Sequence, residues 1–275
     1  MKGRSKLSPS GSKLAYLPGA ETISRIDPWW GLVILVIGLT VILVTVKADP
    51  FRDILLFVRD GVAVTAFITA MAFVMTLVAG LVGGLGRLSR NPFIHGLATL
   101  YVEIVRGIPL LVQLIWWYFA FPVVIQQVGG WLNLSILANY HANPIFTAIT
   151  GLTICYGAYM SEIYRAGIQS IPKGQMEAAR SLGMTHFQSM RHIILPQAIR
   201  VVLPPVGNEF VALLKDSSLV SVVAVADLTR RGREFMAVHF NPIEVWTLVA
   251  LLYLVMTLFS ARGVAWIEKK THFER

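Results

Sequence analysis

The chain has 275 residues, 55% of them hydrophobic and only 14% charged, with a formal net charge of +9. Charge this sparse excludes an ordinary soluble domain, so the core is read as a bundle of helices in lipid. The single cysteine, Cys155, excludes an internal disulfide or a cysteine-rich metal site, and no Gly-x4-Gly-Lys-Ser/Thr loop occurs to cradle ATP phosphates.

Residues 1–28 form a polar, basic tail with Lys2, Arg4, Lys6, Lys13 and Arg25, read as flexible and cytoplasmic. An apolar run, 29–46, follows and is long enough to span a bilayer. Trp29 and Trp30 suit a membrane interface. The polar lead is too long for a cleaved signal peptide, so a retained helix is expected. Five further spans are predicted, Gly61–Leu85, Phe93–Phe121, Pro144–Ile168, Val201–Val225 and Pro242–Ile267, within a domain covering 61–268. Pro109 predicts a break in the second of these. Pro204 and Pro205 predict one in the fourth, before Asn208, Glu209, Lys215, Asp216, Ser217 and Ser218.

Short basic loops orient the chain. A cytoplasmic N-terminus puts Arg87 and Arg90 inside, and the Phe121–Asn143 connection, which has no Lys or Arg, outside. Arg165, Lys173, Arg180, Arg191 and Arg200 fall inside, as does the C-terminal tail with Lys269, Lys270 and Arg275. Arg230, Arg231 and Arg233 fall outside, against the rule. Nucleic acid is not an expected partner, because the basic residues flank spans that meet membrane lipid.

The loop 171–196 is the most informative stretch. Pro172 and Gly174 end a span, and Gln175 to Leu182 are mostly good helix formers. Gly183 fits the position just past a helix end, where φ is positive. Thr185 and Gln188 have capping-box spacing for a second short helix, expected to stop near Pro196. The result is a helical hairpin.

Glu177, Ala178, Ala179, Gly183, Ile193, Leu195 and Pro196 match the E-A-A-x3-G-x9-I-x-L-P signature of ABC importer permeases. The runs Tyr101–Gln113, Gly157–Gln175 and Leu203–Val220 resemble the polar amino-acid subfamily, with Ser217 where Thr is usual. The chain is thus identified, by resemblance, as a member of that family. The resemblance implies an all-α integral membrane fold: a five-helix type I permease core plus one additional N-terminal helix. It also implies a bacterial inner-membrane location with both termini cytoplasmic. The implied partners are two ATP-binding subunits carrying ATP and magnesium, a second permease, identical or related, and an extracytoplasmic solute-binding protein. No cofactor is expected on this chain. The implied coupling residues are Gly174, Gln175, Glu177, Ala178, Ala179 and Gly183.

The candidate substrate pathway is Glu103, Arg106, Gln113, Tyr156, Glu162, Asn208, Lys215, Asp216, Ser217 and Ser218. Ionisable groups at membrane depth are costly and face partners, water or cargo. Two readings stand for Glu103 and Arg106: contact with a zwitterionic amino acid, or mutual neutralisation across one helical turn. The same holds for Lys215 and Asp216. Glu162 and Arg165 repeat the spacing, with Arg165 read as snorkelling to the cytoplasmic interface. Tyr156 and Tyr159 either line the pathway or pack. Gly80, Gly83, Gly84 and Gly86 read as close helix packing. The histidines lack ligand spacing, so no metal site is expected, and no catalytic set can be assembled. The rival functions are an ion-driven secondary transporter and a membrane scaffold that only recruits an ATPase.

Overall fold

The computed structural model describes residues 28–271, and the described residues contain helices but no strand. The basic tail before Pro28, and Arg275 at the other terminus, lie outside the described residues. Four helices are long and apolar enough to cross a membrane by themselves: Trp29–Val46, Ala48–Arg87, Leu110–Trp131 and Pro242–Lys270. The other two predicted spans carry more polar residues.

Helix α1 is Pro28–Val46, and α2 is Ala48–Arg87. α2 therefore begins well before the predicted Gly61. Arg52, Asp53, Arg59 and Asp60 disguise its first turns, yet Phe51, Ile54 and Val58 keep helical spacing and are buried. They pack with Leu228, Phe235, Val245, Leu248 and Val249 in one of two cores, to which α1 adds Leu43 and Val44.

The second core span is divided, as Pro109 predicts. α3 is Pro92–Gly107 and α4 is Leu110–Ile115, joined through extended Ile108 and Pro109. A π-helical turn, Trp116–Ala120, leads into α5, Phe121–Trp131. The Phe121–Asn143 connection is thus largely helical, with α6 at Ser135–Ala138. Gly129 lets the α6 backbone close onto α5, and Gln126 Nε2 donates to the Tyr140 carbonyl at 2.7 Å.

α7, Pro144–Gln169, is the central helix. Both α3 and α7 start at an Asn-Pro pair. Asn91 Oδ1 accepts from Phe93 N–H and Asn143 Oδ1 from Phe146 N–H, while each proline takes the first helical position. α7 lies along α2 through small residues. A Cβ at Gly83 would collide with the Ser161 hydroxyl, and one at Gly84 would stand 3.0 Å from the Ser161 carbonyl oxygen. Close packing is what these glycines provide.

The hairpin follows: α8, Lys173–Ser181, and α9, His186–Ser189. The second helix does not stop at Pro196. A π-helical turn, Met190–Ile194, carries it into α10, Leu195–Asp216. The wider turn admits the proline at the start of the following segment, where its missing N–H matters least. Nor does α10 break at Pro204 and Pro205, which lie inside it. Proline φ is itself helical, so each costs a donor rather than the helical path. The irregularity comes later, in a 3-10 helix, Ser217–Val223, closed by Ala224 at φ +62°. α11 is Leu228–His239 and α12 is Pro242–Thr271. Ile68, Ala72, Leu114, Leu152, Tyr156, Leu213 and Val220 belong to the other core, where α2, α4, α7 and α10 meet the 3-10 helix.

Candidate functional site

Two places gather functional side chains: a polar cavity inside the bundle and the hairpin at one end. The cavity, about 230 Å³, is lined by Leu110, Cys155, Tyr156, Tyr159, Glu209 and Asp216. It lies where two irregularities, the break before α4 and the change from α10 to the 3-10 helix, meet the middle of α7. Glu209 and Asp216 are seven residues apart on α10, two turns along one face. Tyr156, only 4% exposed, donates its hydroxyl to Asp216 Oδ2 at 2.8 Å. That bond spans 60 residues of sequence and joins α7 to α10. The Arg106 guanidinium lies 5.3 Å from the centroid of the Tyr159 ring. The site is thus a concave pocket with two carboxyls, two phenols and a cation at its edge, able to hold a small ligand bearing both signs of charge.

The break in α3–α4 is closed by a side chain. Pro109 has no N–H to give the Val105 carbonyl, four residues back. Gln113 Nε2 supplies it at 2.8 Å and donates to the Ile108 carbonyl at the same distance. Gln113 is 6% exposed and its amide is committed to these carbonyls. It holds the pocket wall rather than lining it.

Glu103 and Arg106 do not pair. Glu103 is largely exposed and 3.7 Å from Arg87, whereas Arg106 turns to α7. Glu162 does meet Arg165, and it also accepts from Arg87 Nη1 at 2.6 Å, tying α2 to α7. Arg165 reaches Gln169 as well. Lys215 and Asn208 are exposed, so Lys215 leaves Asp216 to Tyr156. Ser217 is buried and returns its hydroxyl to the Leu214 carbonyl, while Ser218 is half-buried.

The hairpin is built by local rules. Gly183 takes φ +83°, its N–H bonds the Arg180 carbonyl, and the Met184 N–H bonds the Ala179 carbonyl. That is a complete Schellman closure. Thr185 and Gln188 form the reciprocal capping box. Ala179 is buried, whereas Gly174, Gln175, Glu177, Ala178 and Gly183 face outward. Leu182 and Phe187, 84% and 70% exposed, add apolar surface beside the turn.

Residues 75–273 match the family described as the binding-protein-dependent transport system inner membrane component. The chain belongs to this family. The permease is 35% identical over 211 residues to the glutamine transport system permease protein of Escherichia coli (strain K12), covering 77% of this chain and 91% of that one. It is 36% identical over 230 residues to the arginine transport system permease protein of Corynebacterium glutamicum, covering 82% and 72%. The crystal structure of an amino acid ABC transporter with histidines matches with TM-score 0.70 and 36% identity, over 83% of the permease and 97% of that chain. The inward-facing methionine ABC transporter shares the fold, with TM-score 0.64 at 21% identity. The permease is therefore of the amino-acid ABC importer type, an all-helical, multi-pass inner-membrane protein.

Sequence reasoning placed Tyr156 and Asp216 in one set without joining them. It read Tyr159 as lining the pathway or packing and put Glu209 in the polar set after the prolines, without bringing either to the same pocket as Tyr156. The Arg87–Glu162 pair, 75 residues apart, had no local signal.

Proposed function

We propose that this permease forms the translocation pathway of an ATP-dependent importer of polar amino acids and is driven through the α8–α9 hairpin. One observation carries the reading: a closed hairpin that presents Glu177, Ala178, Leu182 and Phe187 outward while Ala179 is buried. An exposed apolar patch on such a projection is a partner surface. The partner is an ATP-binding subunit, in two copies, holding ATP and magnesium. A second permease, identical or related, completes the pathway, and an extracytoplasmic binding protein delivers the cargo. Both termini are cytoplasmic, on the hairpin side.

The cargo passes through the Tyr156–Glu209–Asp216 pocket. Its ammonium group meets the carboxyls, and Arg106 stands where a carboxylate enters or leaves. Closure of the ATPases moves the hairpin, and the bundle exchanges an outward-open for an inward-open pocket. Energy comes from the partner, and this chain supplies different affinities in the two states.

The test is uptake of labelled glutamine, arginine and histidine into proteoliposomes holding the permease, its ATPase and its binding protein. Uptake that requires hydrolysable ATP is expected. Uptake that ignores ATP and follows an imposed ion gradient would overturn the proposal. Asp216→Asn keeps the Tyr156 hydrogen bond and removes the charge. It is expected to slow uptake about tenfold, or about 1.4 kcal/mol, with ATPase binding unchanged.

A further inference from the structure

The polar pocket carries more negative charge than its neighbours balance. Glu209 and Asp216 both line it, and both are half-buried. None of the ion pairs among the described residues includes either carboxylate. Asp216 Oδ2 accepts only from the neutral Tyr156 hydroxyl. Lys215, next to Asp216 in sequence, is exposed and does not line the cavity. Arg106, at the edge against the Tyr159 ring, is the cation that remains. Two carboxylates therefore face one guanidinium around a cavity of about 230 Å³, a space suited to a single amino acid.

Ionisable groups at membrane depth need a counter-charge or water. A neutral amino acid brings one ammonium and one carboxylate. It answers Arg106 and one acid, and it leaves the other acid without a partner while displacing its water. An acidic amino acid adds repulsion. An amino acid with a basic side chain brings two cations and one carboxylate, the inverse of the pocket's own set. The spacing agrees. Glu209 and Asp216 are separated by about 10 Å along the axis of α10, and each meets a charged donor at about 2.8 Å. The gap left between them matches the three or four methylenes of an arginine or lysine stem. The walls agree as well: the Tyr156 and Tyr159 rings stand 6.1 Å apart on one side of the cavity, and aromatic faces attract cations.

We propose that this pocket selects amino acids with a cationic side chain, holding the two cations of the cargo at Glu209 and Asp216 and its carboxylate toward Arg106. The selection rests on the cargo passing through this pocket, as proposed above.

Equilibrium binding of labelled arginine, glutamine and glutamate to the detergent-solubilised permease with its ATPase, with and without ATP, tests the selection. The binding protein is omitted, so its own preference does not enter. Arginine is expected to bind about tenfold more tightly than glutamine, the worth of one further charge pair, and glutamate most weakly. Glu209→Gln keeps the side-chain shape at a position without an ion pair, so the fold is undisturbed. It is expected to weaken arginine about tenfold and glutamine much less. Glutamine bound as tightly as arginine, with both weakened by Glu209→Gln and by Asp216→Asn, would keep the pocket as the pathway and overturn cationic selection. Arginine binding untouched by either substitution would place the cargo elsewhere and overturn pathway and selection together. Failure of the folded complex to bind arginine in either nucleotide state would also overturn the selection.

Discussion

The two ends of α2 carry the same chemistry in different surroundings. Asp60 and Arg87 stand about 40 Å apart along it, at a rise of about 1.5 Å per residue. At the hairpin end Arg87 is 12% exposed and Glu162 27%, and their 2.6 Å bond is joined by Arg165 and Glu103. At the other end Arg231 is 30% exposed and Asp60 51%, with Glu234 and Arg230 completing the group. One cluster is sunk between α2, α3 and α7. The other straps α11 to α2 in contact with solvent. The lesson concerns cost: a buried cation depends on its partner, while a wet pair contributes little. The outer cluster also accounts for a breach of the positive-inside rule. The proposed orientation puts Arg230 and Arg231 on the outer side, against that rule, and both are paired with carboxylates.

Four substitutions test how far the two ends differ and how the hairpin couples. Glu162→Ala leaves Arg87 buried with a lost partner, and the Arg87 Nε already lacks one. Thermal unfolding in detergent should show a loss of about 3 kcal/mol, partly restored by Arg87→Met in the same chain. Gly183→Val forces a β-branched residue to φ +83°, at a cost of roughly 1–2 kcal/mol. Inserted, folded protein should then bind its ATPase poorly and lose uptake, so wild-type uptake in that variant would count against coupling through the hairpin. Asp60→Ala should cost no more than about 1 kcal/mol, and less in high salt. A loss equal to that of Glu162→Ala would erase the distinction between the two ends.

The smallest effect is acid release of the outer strap. Burial penalises the Glu234 carboxylate, but donors from Arg230 and Arg231 outweigh it and hold the carboxyl below its usual range. A depressed carboxyl stabilises the fold above its unfolded value, about 4.3, and loses that contribution as pH falls through the folded value. Hydrogen exchange in α11 should therefore rise only below about pH 4, and Glu234→Gln should remove the dependence.

Legibility followed the range of the interactions. The hairpin was readable because its determinants, the positive φ of Gly183 and the Thr185–Gln188 box, lie within a few residues, and the break at Pro109 was readable for the same reason. Prolines misled where context outweighed them. Pro196 follows a π-helical turn, and Pro204 and Pro205 lie inside a continuous helix supported by its neighbours. The start of α2 was missed because Arg52, Asp53, Arg59 and Asp60 interrupt the apolar run, and only packing against α11 and α12 shows which face matters. Gln113 looked like a pathway group because its amide is polar at membrane depth. Its task became visible only once the carbonyls freed at Pro109 were in place.

The class of the chain, its long apolar segments and the hairpin with its turn were legible in the residues alone, since apolar length, capping and glycine conformation are local properties. Which charged groups meet depends on how the helices pack. The Tyr156–Asp216 bond, the Arg87–Glu162 tie and the Asp60–Arg231 strap each join residues 60 to 171 positions apart. A buried ionisable group takes whichever partner the packed helices bring within reach, and spacing along a single helix does not reveal that partner.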